Sequence, residues 1–243
     1  MKYSYSLLKR LYPRIPSAQK LAELLNFHAF EVEGVKGDVL DVKLPANRYS
    51  DAVSHIGLAR EAAAIAGGTF RSPVRAIVNI PSGKKLIAVK VADPTSCSRY
   101  AVRYFKIEKR LAATPTWMKK ALASCGVRSV NAIVDVMNYV MLETGQPLHA
   151  FDADRMGARL EVRNAHAGEQ IETLDGRTVA LDAQTLVIAD ADRVLAIAGI
   201  KGGKYAEVHG DTKAIVVEAA NFDQARILNG YRRLKLPTDA AVR

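Results

Sequence analysis

Beyond Asp152 the chain breaks into six short runs with strand patterning, at 159–163, 169–174, 178–181, 185–189, 193–198 and 214–220, each bounded by turn-forming residues. Such runs read as strands, and Asp175-Gly176 sits in hairpin position between two of them. Ahead of them the patterning predicts strands at 86–92 and 99–107 and helices at about 115–125 and 130–143. A last helix is predicted after Asp223, with Ala225, Ile227, Leu228 and Tyr231 inside it. Strands, then helices, then many strands and a closing helix predict an α+β domain with mainly antiparallel sheet.

The first part of the chain has a different rhythm. Ser17 is placed to cap a helix over 17–27, where Leu21, Leu24 and Leu25 recur at helical spacing. EVEGVKGDVLDVKL predicts a hairpin turning at Lys36-Gly37. A second helix, from about Ser54 to Ala66, carries Ile56, Ala59, Ala62 and Ile65 and ends at Gly67-Gly68. The expected organisation is a small N-terminal helix and hairpin domain over 1–68, a linker over 69–84 punctuated by Pro73, Pro81 and Gly83, and a larger mixed domain over 85–243.

Composition narrows the function. With 49% hydrophobic and 25% charged residues among 243, the chain can build a proper core. No apolar run approaches the ~20 residues that cross a bilayer, and Lys9, Arg10 and Pro13 interrupt the N-terminal stretch as no signal peptide would. Cys97 and Cys125 show neither paired nor metal-type spacing, so a cytoplasmic, reduced protein with no membrane partner is expected. Lys and Arg exceed Asp and Glu to give +10, clustered around 99–128 and 226–243. Such an excess favours polyanion partners, although a generic basic surface explains it equally well.

No P-loop, dinucleotide fingerprint or metal-ligand cluster is present, and the five histidines (His28, His55, His149, His166, His209) are scattered. His149 and Asp152 have no third ligand nearby, so no metal is expected. Three stretches are unusual for scaffolding. Residues 126–152 put Asp135 and Asn138 within an apolar helix; each either caps local structure or faces a site. The glycines of AIAGIKGG (196–203) fit either a tight turn or a close backbone approach to a ligand. In VVEAANF (216–222), Glu218 stands in an apolar strand and needs a partner, either Arg128 or a ligand.

These stretches resemble the beta subunit of bacterial phenylalanine–tRNA ligase. LPANRYSDAVSHIGLAREAAAI, the 126–152 segment ending GQPLHAFD, TLVIADADRVLAIAGIKGG, VVEAANF and RRLKLPTDAAVR follow one another in that family's order over nearly the whole chain. Two departures stand out. The OB-fold tRNA-binding insert expected between EVEGV and LPANR is absent, and the sequence ends at Arg243 before the family's C-terminal half.

The resemblance implies a proofreading domain that hydrolyses tyrosyl-tRNA(Phe) and so supports the fidelity of phenylalanyl-tRNA synthesis. In the complete enzyme the partners would be tRNA(Phe) and the alpha subunit. ATP and magnesium would serve only the synthetic site outside this chain, and editing itself would need no cofactor. Carried over by position, His149, Glu218 and Thr238 would form the catalytic set. Arg128, Asn138, Gly202 and Ala240 would bind substrate. Glu218 would accept a hydrogen bond from the tyrosine hydroxyl, while a positioned water would attack the ester, its proton taken by the substrate's own ribose hydroxyl or, alternatively, by His149 as general base. The alternative is a non-catalytic structural or tRNA-binding piece of the synthetase.

Overall fold

The computed structural model describes residues 1–73, 87–108, 111–236, 238 and 241. The chain divides into two compact units, Met1–Pro81 with Ala113–Gln146, and Ser82–Ala112 with Pro147–Val242. This division cuts across the linear one: the helical stretch 113–146 belongs to the first unit, not with the strands that flank it in sequence. Residues 74–84 of the expected linker lie outside the described residues.

In the first unit, β1 (Lys2–Ser4) runs directly into α1 (Tyr5–Leu11), followed by α2 (Ala18–His28), β2 (Glu31–Lys36), β3 (Val39–Lys43), α3 (Tyr49–Ala52) and α4 (His55–Ile65). The helices α5 (Thr116–Ser124) and α6 (Ala132–Thr144) complete it. The three strands form an antiparallel sheet in the order β1-β3-β2, with Gly37 at φ +58° turning the β2–β3 hairpin. Helix starts follow the expected chemistry: the Ser17, Ser54 and Asn131 side chains accept from the amides of Lys20, Gly57 and Val134. Leu21, Leu25, Leu58, Ala59 and Ala62 are buried in one core with Leu8, Leu40 and Val42.

Two polar groups lock this unit. The Ser4 amide donates to His55 Nε2 at 2.9 Å, while His55 Nδ1 lies 2.8 Å from the Leu142 carbonyl. Those partners fix a neutral imidazole with its proton on Nδ1, tying β1, α4 and α6 together. Asp135, fully buried on α6, accepts from the Thr114 and Ser129 hydroxyls and the Val130 amide. Burial works against its ionisation, but these donors outweigh it and hold the carboxyl below the usual carboxylate range. Asp135 therefore organises the turn that enters α6. Asp135→Ala is expected to leave three donors without their acceptor and to cost about 3 kcal/mol, read as a lower urea midpoint at unchanged slope.

The second unit holds β4 (Ala88–Val91), β5 (Cys97–Lys106), β6 (Leu148–Asp152), β7 (Arg159–Asn164), β8 (Gln170–Glu172), β9 (Thr178–Ala180), β10 (Leu186–Ala189), β11 (Val194–Ile197), β12 (Lys201–Gly202), β13 (Ala214–Phe222) and α7 (Gln224–Leu234). One sheet runs β12-β11-β10-β7-β4, antiparallel except for the parallel β4–β7 edge; a second runs β5-β13-β6, antiparallel throughout. The pair β8–β9 closes around Asp175-Gly176. Leu160, Val162, Val187, Leu195, Phe151 and Val216 are buried in a single core drawn from both larger sheets. The α+β class with mainly antiparallel sheet is the observed one.

Candidate functional site

The central strand of the β5-β13-β6 sheet carries the chemistry. Side chains alternate between faces along a strand, so Val216, Glu218 and Ala220 share one face of β13. Register sets their neighbours. Glu218 lies opposite His149 on β6 and opposite Val102 on β5; Val216 lies opposite Phe151 and Tyr104. His149 and Glu218, remote in sequence, are thus direct cross-strand neighbours whose Cβ atoms stand ~5 Å apart in such pairs.

Glu218 retains only 6% exposure. Among the described residues no hydrogen bond or ion pair reaches its carboxyl, and burial pushes its pKa up to about 8. His149 is half-buried at the end of its strand, its ring 4.5 Å from that of Phe151, and burial pushes its pKa down to about 4. At neutral pH both groups are therefore uncharged. That is how an apolar site tolerates two titratable side chains without an internal ion pair.

Gly202 explains the position of the imidazole. A Cβ built on Gly202 would stand 2.6 Å from His149 Cε1 and 3.0 Å from Leu174 Cδ1, so the ring occupies the space a side chain there would fill. In the glycine run 196–203 the turn reading holds at Gly199, and what approaches the later glycines is protein. Gly199 turns β11 into β12 at φ +66°, while Gly202 and Gly203 allow close approach; a Cβ on Gly203 would meet the Leu195 carbonyl at 2.5 Å.

The other expected site residues are placed as follows. Thr238 lies in the second unit beyond α7, its hydroxyl accepting from the Ala241 amide at 3.3 Å. Ala240 lies outside the described residues. Arg128, exposed, and Asn138, half-buried on α6, belong to the first unit. The structure thus brings together His149, Glu218 and Gly202. It also adds a group that sequence reading missed. Tyr100 of β5, opposite Ala220 and on Glu218's face, has a buried hydroxyl with no hydrogen-bond partner among the described residues.

Residues 96–243 match the B3/4 domain model. The chain belongs to the B3/4 domain family. It is 43% identical over 211 residues to the phenylalanine–tRNA ligase beta subunit of Gloeobacter violaceus, covering 86% of this chain and 26% of that protein. It is also 38% identical over 237 residues to the corresponding subunit of Carboxydothermus hydrogenoformans, covering 97% of this chain and 28% of that one. The resemblance carried by the five ordered motifs is borne out, and the B3/4 chain spans about a quarter of the length of these relatives. A crystal structure of an N-terminal fragment of the phenylalanyl-tRNA synthetase beta subunit from Pyrococcus horikoshii aligns with 97% of this chain and 74% of its own, with a TM-score of 0.46 and 16% identity. That is too distant to inform the site. Among the described residues no helix of this B3/4 protein is long and apolar enough to cross a membrane.

Proposed function

We propose that this B3/4 chain hydrolyses the ester of tyrosyl-tRNA(Phe), as the proofreading part of a phenylalanine–tRNA ligase beta subunit that works with an alpha subunit. The observation that carries the reading is the buried, unpartnered Glu218 carboxyl beside His149 on one sheet face.

Tyrosine differs from phenylalanine by a single hydroxyl, and an apolar pocket rejects an analogue that merely adds a hydroxyl by only about 10²-fold. A second site must invert that preference. A carboxyl without a partner does so: a phenol supplies the missing hydrogen bond, whereas a phenyl ring covers the carboxyl, keeps water from it and leaves it unsatisfied.

An imidazole with a pKa near 4 is a weak base at neutral pH. The role that suits His149 is a hydrogen bond that holds the ester or the attacking water, with the substrate's own ribose hydroxyl available as proton carrier. Thr238 would line the pocket around the aminoacyl group. No step of ester hydrolysis requires a metal, and ATP with magnesium would belong to the synthetic site of the whole enzyme.

The test is incubation of the purified chain with tyrosyl-tRNA(Phe) and phenylalanyl-tRNA(Phe) in parallel. Tyrosine release at least tenfold above the spontaneous rate, with phenylalanine retained, is the expected result. Salt-dependent tRNA binding with no faster release of either amino acid would instead identify a non-catalytic RNA-binding piece.

A further inference from the structure

The face of β13 that carries Glu218 holds a second polar group for which the mechanism above has no use. Tyr100 on β5 lies opposite Ala220, one same-face step along β13 from Glu218. Diagonal neighbours of this kind are within reach of an aromatic side chain. The row is uncrowded. Ala220 contributes only a methyl group to it, and the paired part of β6 ends at Leu148, opposite Ala219. The Tyr100 ring packs against the core of the second unit, its centroid 6.4 Å from that of Phe222. Its hydroxyl is buried without a hydrogen-bond partner among the described residues.

A phenylalanine in this position would give the same ring packing without burying an orphan hydroxyl. Packing therefore does not account for the oxygen, and an unsatisfied buried group calls for an explanation. Two orphans stand close on one face: a carboxyl that can accept and a hydroxyl that can donate. Burial, and then the charge of Glu218, raise the Tyr100 pKa, so the phenol keeps its proton and remains a donor at every physiological pH.

We propose that Tyr100 is a second specificity-determining residue, its hydroxyl donating to the oxygen of the same substrate phenol whose proton is directed at Glu218. A phenol both donates and accepts, so one ligand hydroxyl satisfies both orphans, while a phenyl ring satisfies neither. The inference rests on the proposed recognition of a tyrosyl ester and deepens it. Selectivity comes from two groups that read opposite ends of one O–H bond. This excludes ligands that can only donate or only accept at that position, such as a 4-amino or a 4-methoxy ring.

The experiment measures binding of the non-hydrolysable amides that 3′-amino-3′-deoxyadenosine forms with tyrosine, phenylalanine and O-methyltyrosine. The proteins are the full chain and its Tyr100→Phe and Glu218→Gln variants. Wild type is expected to prefer the tyrosyl amide and to reject both others. Tyr100→Phe is expected to lower the tyrosyl-over-phenylalanyl preference about fivefold, the worth of one neutral hydrogen bond. Its melting temperature should be unchanged or higher, because a structural role for the hydroxyl would lower it. A Tyr100→Phe protein that keeps the wild-type preference while Glu218→Gln loses it overturns this inference alone. Absence of any tyrosyl preference in wild type overturns both it and the reading beneath it.

Discussion

Glu218→Gln is expected to abolish most of the discrimination between tyrosyl and phenylalanyl esters and, at the same time, to make the protein more stable in alkaline solution. The first effect follows from replacing the buried carboxyl that reads the phenol with an amide. Because that carboxyl keeps its proton at neutral pH, the hydrogen bond at stake is a neutral one, contributing about 0.5–1.5 kcal/mol, so kcat/KM for tyrosyl-tRNA(Phe) should fall about 2- to 12-fold while that for phenylalanyl-tRNA(Phe) changes little. The second effect follows from linkage. The folded pKa of Glu218, about 8, lies above its ordinary value of 4.5, so the folded protein holds a proton that the unfolded chain has released. The stability contributed by that proton is fully present below about pH 4.5 and is lost as pH rises through about 8. At about 1.4 kcal/mol per pH unit, the whole interval amounts to a loss on the order of 5 kcal/mol.

His149 acts in the opposite direction over a lower range. Its pKa is depressed from 6.5 to about 4, so the unfolded chain binds the extra proton and stability is lost as pH falls from 6.5 towards 4. The two slopes oppose each other in mildly acid solution, and the fall of the Glu218 term stands alone above neutrality. Urea denaturation of wild type and Glu218→Gln at pH 5, 7 and 9 separates them. The variant's advantage should grow steadily across that series, and a constant difference would refute the buried, protonated carboxyl.

How much of this is legible in the sequence depends on whether the signal is local. The Ser17 cap, the helix starts at Ser54 and after Asp223, the Lys36-Gly37 turn and the Asp175-Gly176 turn each depend on a few adjacent residues, and the structure has them as expected. The short elements β1 and α1 were not anticipated. Three strand residues have no periodicity to detect, and the seven-residue helix runs straight out of the strand, with Ser4 as its N-cap. β6 was missed for a deeper reason. LHAFD follows Gly145 and Pro147 and looks like the exit of a helix; it becomes a strand only because β13, far along the chain, supplies its hydrogen-bond partners.

The site divides in the same way. Glu218 was conspicuous because a carboxylate in VVEAANF contradicts its surroundings, and the motif resemblance pointed to His149 and Gly202. Nothing in the sequence states that Glu218 and His149 face each other, because register is a property of pairing. Tyr100 gave no signal at all. An aromatic residue in a strand is ordinary core material, and only its orphaned oxygen sets it apart. Asp135 shows the reverse case: a polar residue as conspicuous as Glu218 proves to be satisfied by Thr114, Ser129 and Val130.

Gly202→Ala is expected to impair hydrolysis through His149 rather than through the fold. Gly202 is not among the glycines with positive φ, so alanine meets no backbone strain there. The added methyl would instead stand 2.6 Å from His149 Cε1 and 3.1 Å from Nε2, well inside contact distance, and the imidazole is the group that can yield. Overpacking of this kind costs about 1–3 kcal/mol, a fall of a few degrees in Tm for a chain of this size. Displacing a positioning group by about an ångström costs on the order of 10²-fold in rate. The decisive comparison is a double-mutant cycle. In a His149→Ala background only the contact with Leu174 Cδ1, at 3.0 Å, remains, so adding Gly202→Ala should lower Tm and the residual rate much less than it does in wild type. Additive losses in the two backgrounds would mean that Gly202 acts on the site by some route other than the imidazole that rests against it.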